Sequence, residues 1–148
     1  MDRLTTQEAK SLINQLKRIA ESEIEFPEPG SRKEIMAEDL IQGDDKYVIT
    51  ICPGAMNPEK CTFQARIKMG NIVLLRLDIC SNEKAHKNPD GTIIYGSHLH
   101  VYNEINGDKE AIKFDKTDKR LTDDCLEFLE KFNVVEPANI LIKPNLFN

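Results

Sequence analysis

The sequence predicts an α+β domain, a mostly antiparallel sheet packed by an N-terminal and a C-terminal helix. Three observations predict it. Apolar residues recur at helical spacing near both ends of the chain, and the middle alternates apolar with polar residues. A chain of 148 residues, 40% apolar and 30% charged, is also long enough to bury one core without staples. Residues 1–148 are therefore read as a single domain. It divides into a helix over 1–24, a linker over 25–30, a sheet over 47–103, a helix over 121–132 and a tail over 133–148.

The first helix is predicted from Thr5 to Ser22, on the spacing of Ala9, Leu12, Ile13, Leu16, Ile19 and Ala20. Thr5 followed by Glu8 fits a capping box. Phe26-Pro27-Glu28-Pro29-Gly30 ends it, because paired prolines and a glycine cannot continue a helix. Over 31–41 the pattern is mixed and supports no single assignment.

From Tyr47 the period becomes two. Tyr47–Cys52, Cys61–Lys68, Ile72–Cys80 and His98–Asn103 read as strands, rich in Val, Ile and aromatic residues. Asn88-Pro89-Asp90-Gly91 is a turn, since proline presets φ and glycine accepts the left-handed conformation. Helical spacing returns over Leu121–Phe132, with Thr122 as the expected N-cap and Leu121 stapled to Leu126. Ile140–Ile142 is read as a last strand or an apolar tail.

Alternation assigns faces. Phe63, Ala65 and Ile67 share the core side with Val73, Leu75, Leu77 and Ile79, leaving Thr62, Gln64, Arg66 and Lys68 opposite, with Ile72, Leu74, Arg76, Asp78 and Cys80. A loop of Met69-Gly70-Asn71 keeps both core sets on one side and sets Gln64 opposite Arg76 and Thr62 opposite Asp78. In Gly96-Ser97-His98-Leu99-His100-Val101-Tyr102, Leu99 and Val101 point to the core while His98, His100 and Tyr102 point away. Pairing of that strand with the Arg76 strand, the usual arrangement for sequence neighbours, would gather these side chains on one face.

Such a cluster suits phosphoric-ester chemistry. Imidazoles titrate near neutral pH and serve as general acid and base. On this reading His98, His100, Arg76, Asp78 and Tyr102 are the catalytic residues, with Arg76 steadying phosphate charge and Asp78 orienting a histidine. Arg66, Lys68 and His86 are the expected substrate-binding residues, His86 folding over the face from its loop. No cofactor is expected; the alternative is a divalent metal at His98 and His100, its shell completed by Asp78, Cys80 or Glu104. The expected substrate is RNA or a nucleotide. A rival from another class is a non-catalytic protein-binding module, an inhibitor or antitoxin-like partner whose acidic balance, a formal net charge of −5, suits a basic target.

The remaining composition excludes other classes. No apolar run approaches the ~20 residues of a bilayer span, so no membrane role is expected. Four cysteines at 52, 61, 80 and 125 lack C-x-x-C spacing, so reduced thiols in a cytoplasm are the reading, with Cys80 of interest for sharing the Arg76–Asp78 face.

His98-x-His100 followed by Glu104 resembles the first half of the cupin metal motif, without the later histidine of the second half. His98-Leu99-His100-Val101-Tyr102 resembles the histidine-triad nucleotide hydrolases, with Gly96 and Tyr102 where a third histidine would stand. Over a wider span, Arg76-x-Asp78, then His86-x-Asn88-Pro89-Asp90-Gly91, then Gly96-Ser97-His98-x-His100-x-Tyr102 resembles small uncharacterised bacterial and phage proteins, some of them toxin-like. That resemblance implies a bacterial or mobile-element origin more than a mechanism.

Overall fold

The computed structural model of the chain describes residues 3–116 and 120–145. It is an α+β fold of two helices and mostly antiparallel strands. Helix α1 spans Thr6–Asn14 and carries the expected capping box: Glu8 N donates to Thr5 Oγ1 and Thr5 N to Glu8 Oε1, each at 3.0 Å. Its expected extension to Ser22 does not occur. Lys17–Ile19 forms strand β1 instead, because the Lys17 ammonium is fully buried and donates to carbonyls at both helix C-termini, Ile13 and Phe132, and to Gln15.

Strand β2 (Glu23–Glu25) crosses from the end of the expected helical span into the first residue of the expected linker, and the ambiguous segment contains another strand, β3 (Lys33–Asp39). There follow β4 (Lys46–Pro53), β5 (Cys61–Ile67), β6 (Val73–Ile79), β7 (Ala85–Lys87), β8 (Ile93–Tyr95), β9 (His98–Val101) and β10 (Ala111–Lys113). Helix α2 spans Leu121–Lys131, followed by β11 (Val134–Glu136) and β12 (Leu141–Lys143). Arg120, not Thr122, caps α2, and Asp123 Oδ2 accepts from the Arg120 amide at 3.1 Å. Two strands occupy the expected tail, so α2 is internal rather than terminal; residues 146–148 of that tail lie outside the described residues.

One eight-stranded sheet runs in the order β10-β9-β6-β5-β4-β3-β1-β11, and the pairs β2–β12 and β7–β8 stand apart from it. The β1–β11 and β2–β12 pairings are parallel, and the other pairings are antiparallel. Helix α2 lies against β5, β11 and β12, and α1 touches β6. Phe63, on the central β5, joins these parts. Its ring meets Phe26 edge-on at 6.2 Å and Phe128 of α2 in a stack at 5.9 Å.

The β5–β6 register matches the alternation argument, with Thr62 opposite Asp78 and Gln64 opposite Arg76. The loop differs. A bulge between Ala65 and Arg66 sets Arg66 opposite Val73, and Ile67 N bonds Ile72 O at 2.9 Å, so the turn is Lys68–Asn71. Leu74, expected among the outward side chains, is fully buried as a result. Among the described residues, no helix is long and apolar enough to cross a membrane.

Candidate functional site

Strand β9 pairs with β6 as the sequence suggests, placing His100 opposite Arg76 and His98 opposite Asp78. Arg76, His98 and His100 converge on one carboxylate oxygen of Asp78. Asp78 Oδ2 lies 3.1 Å from His100 Nε2, 3.3 Å from His98 Nε2 and 3.4 Å from Arg76 Nε. Its other oxygen accepts from the Thr62 hydroxyl at 3.0 Å. Arg76 continues outward to Asp108 at 3.0 Å, and its second terminal nitrogen stands 3.1 Å from His100 Nε2.

These contacts set the charges. Burial alone would raise the Asp78 carboxyl, but hydrogen bonds from His100 and His98, the Arg76 charge and the Thr62 hydroxyl hold it well below the usual carboxylate range. The same carboxylate is the main reason that His98 titrates above an ordinary imidazole; burial opposes this and the Gly96 carbonyl assists it. His98 and His100 are both buried, His100 almost completely at 1% exposure.

His86 completes the cluster from the β7–β8 hairpin. Its ring stacks on His98 at 4.8 Å and meets His100 edge-on at 4.8 Å, while His98 and His100 are 4.9 Å apart. The hairpin is held by Asn88, whose side-chain amide pairs with both backbone groups of Ala111 in the manner of a strand: Ala111 N donates to Oδ1 at 2.8 Å and Nδ2 donates to Ala111 O at 2.9 Å. Asn88 Oδ1 also accepts from His86 Nε2 at 3.0 Å, with Lys109 O at 3.1 Å from the same nitrogen. The Asn88–Gly91 turn is therefore also the anchor of a site residue.

A cavity of about 450 Å3 opens over this cluster. Lys60, Arg76 and Lys84 line it together with His86, His98, Asp78 and Cys80. Burial pushes the Cys80 thiol up, away from the thiolate a nucleophile needs.

Of the expected site residues, Arg76, Asp78, His86, His98 and His100 come together. Three do not join them. The Tyr102 hydroxyl donates to Leu4 O at 2.7 Å and its ring lies in the core, because β9 ends at Val101 and regular alternation ends with it. Arg66 turns to Asn71 and Glu34, and Lys68 sits exposed in the β5–β6 turn. Sequence reasoning missed Lys60, Lys84, Asp108 and the anchoring role of Asn88. Thr62 was placed on the correct face but given no role.

No curated protein and no solved structure matches the chain. Residues 4–134 match one family model, and that span contains every residue of the cluster and the cavity. The chain belongs to that family, DUF6978, described as a family of unknown function.

Proposed function

We propose that the cavity beside the β6–β9 ladder binds and cleaves a phosphoric ester, with RNA or a nucleotide as the substrate class. One observation carries the reading: Lys60, Arg76 and Lys84 line a single cavity with two imidazoles, in a chain whose formal net charge is −5. Cations concentrated against the overall charge favour an anionic ligand there. Arg76 presents a planar fork suited to phosphate oxygens, and Lys60 and Lys84 add mobile point charges.

His98 is the general acid. Asp78 holds its imidazolium, and the Nε2 proton passes to the leaving oxygen as the P–O bond breaks. His86, which also lines the cavity and has its Nε2 proton engaged by Asn88 and Lys109, is the base. Its other nitrogen takes the proton of the attacking hydroxyl or water as the new P–O bond forms. His100 is outside the cavity lining and acts as a positioning residue that keeps Asp78 in place. The toxin-like resemblance fits RNA cleavage by this pair, in a reducing cytoplasm that keeps the cysteines as thiols.

The test is turnover of a short RNA and of an activated phosphodiester by the wild type and by His98→Ala, with the fold checked by circular dichroism. General acid catalysis contributes about 100-fold or more, and a loss of that size in kcat/KM is expected. Absence of cleavage in the wild type, or unchanged turnover in folded His98→Ala, refutes the assignment.

A non-catalytic protein-binding role has one observation in its favour. Ile93 and Tyr95 on β8 and Ile112 on β10 are half or more exposed on strands that touch. Partner capture that is lost in Ile112→Asp and kept in His98→Ala would favour that role.

A further inference from the structure

We propose that His86, His98 and His100 together bind one divalent transition-metal ion of the zinc class, each through a single imidazole nitrogen. The inference goes beyond the ester chemistry and does not depend on it.

The hydrogen bonds at the rear of each ring carry the argument. His98 Nδ1 faces the Gly96 carbonyl at 2.9 Å, an acceptor only, so this nitrogen bears a proton, and Nε2, 3.3 Å from Asp78 Oδ2, is the nitrogen that would turn to an ion in place of its own proton. His86 Nε2 faces Asn88 Oδ1 at 3.0 Å and Lys109 O at 3.1 Å. The Asn88 amide cannot be flipped, because its oxygen accepts from Ala111 N while its nitrogen donates to Ala111 O. His86 Nε2 therefore bears the proton and Nδ1 is free. His100 Nε2 lies 3.1 Å from Asp78 Oδ2 and 3.1 Å from the Arg76 guanidinium; with its proton directed to the carboxylate, Nδ1 is left as a lone pair.

That last nitrogen is the independent sign of a missing ligand. His100 Nδ1 is buried and has no hydrogen-bond partner, on a ring only 1% exposed. A buried lone pair without a donor is costly, and native proteins seldom leave one. A ring that donates one N–H to a carboxylate or backbone carbonyl and presents the other nitrogen forward is the usual arrangement of a metal-bound histidine. His86 and His100 have it, and His98 has the rear bond to Gly96 with its forward nitrogen beside Asp78.

Distances are compatible, and the acceptor chemistry outweighs the nearby Lys60 and Lys84, which only line the cavity with flexible side chains. One nitrogen from each ring lies within 4.8 Å of the others. On a tetrahedral zinc ion, with Zn–N of about 2.0–2.1 Å, they would sit about 3.4 Å apart, so small side-chain rotations close the site. Asp78 supplies negative charge behind the His100 ring and beside His98 Nε2, and Arg76 is already paired with Asp78 and Asp108. Three neutral nitrogen ligands select zinc, nickel or copper over magnesium or calcium, and leave a coordination position open. An ion would also occupy His98 Nε2, the nitrogen that holds the catalytic proton in the ester mechanism, so the two uses of the site exclude each other.

Titration calorimetry of the chelator-stripped full chain with Zn2+ tests this, joined by the absorption spectrum of the Co2+ complex. One ion per chain is expected, with a cobalt spectrum free of a thiolate charge-transfer band. His86→Ala, a change on the peripheral hairpin, should weaken binding at least about tenfold with the fold retained. His100→Gln should do the same. No binding, a thiolate band from Cys80, or equal affinity in folded His86→Ala overturns the site. Ester cleavage by stripped protein that binds no ion refutes this inference and leaves the ester reading standing. Stoichiometric binding without cleavage in either state does the reverse.

Discussion

Asp78 and His98 face each other across the β6–β9 ladder, with His98 Nε2 3.3 Å from Asp78 Oδ2. Because His98 Nδ1 already donates to Gly96, a neutral His98 would turn a lone pair toward a carboxylate. The contact is attractive only when a positive species stands between them. In the metal-free protein that species is a proton, and the pair is an imidazolium–carboxylate ion pair inside a mostly buried cluster.

The first prediction concerns Asp78→Asn in metal-free protein. Asp78 titrates below an ordinary carboxylate, so its stabilisation is complete above about pH 3.9 and is lost as pH falls through its lowered value. His98 titrates above an ordinary imidazole, so its contribution is complete below about pH 6.5 and is lost as pH rises through its raised value. Wild-type stability should therefore peak between these limits. Asp78→Asn should cost about 2 kcal/mol at the peak and flatten both limbs. Urea midpoints across the pH range measure it; wild-type and variant curves that stay parallel would refute the coupling.

A second prediction isolates the anchor of the hairpin. Asn88→Ala removes the two bonds to Ala111 and the bond to His86 Nε2, leaving buried backbone groups of Ala111 unpaired. The expected cost is about 1–3 kcal/mol, concentrated locally. Hydrogen exchange should accelerate over residues 85–95 and stay unchanged in β4 and β5. Uniform acceleration through the whole sheet would show that Asn88 supports global rather than local structure.

How far the sequence could be read follows from the range of each interaction. The Gln64–Arg76 and Thr62–Asp78 pairs were legible from parity, which the bulge beside the longer turn preserves along the strands, and the histidine strand followed from its neighbour. Strand β1 was not legible. Leu12, Ile13, Leu16 and Ile19 satisfy a helical period, and a lysine reads as surface until its carbonyl acceptors are known. His86 was expected to fold over the face from its loop, but its position there depends on Asn88 reaching Ala111, 23 residues away. Tyr102 was misplaced by one residue of alternation beyond the end of β9, where its hydroxyl meets Leu4, 98 residues distant. Local periodicity thus located the ladder, while the edges of the site were set by contacts that no local pattern encodes.

The third prediction tests the sheet–helix junction. Phe63 is fully buried between Phe26 and Phe128, so Phe63→Ala opens a cavity where β2, β5 and α2 meet. A loss of about 3–5 kcal/mol is expected from lost transfer energy and incomplete collapse. The histidine cluster lies on the other face of the sheet, with Thr62 and Asp78, so its chemical shifts should move little in the fraction that remains folded.

The last prediction concerns Lys17, whose ammonium is fully buried yet donates to Ile13 O at 2.9 Å, Gln15 O at 2.7 Å and Phe132 O at 2.9 Å. It also lies 3.9 Å from the centre of the Phe132 ring, which adds cation–π attraction. Burial pushes the Lys17 ammonium pKa down to about 7, so below that pH two helices direct the negative ends of their dipoles at one cation. Lys17→Met keeps the aliphatic volume but leaves these carbonyls without their donor. Loss of charge-assisted bonds of this kind costs about 1.5–3 kcal/mol, which equilibrium denaturation below pH 7 would measure. Because Ile13 and Phe132 lie at opposite ends of the described chain, exchange protection should fall together in the last turns of α1 and α2. Protection lost in α1 alone would mean that Lys17 terminates one helix and does not tie the two together.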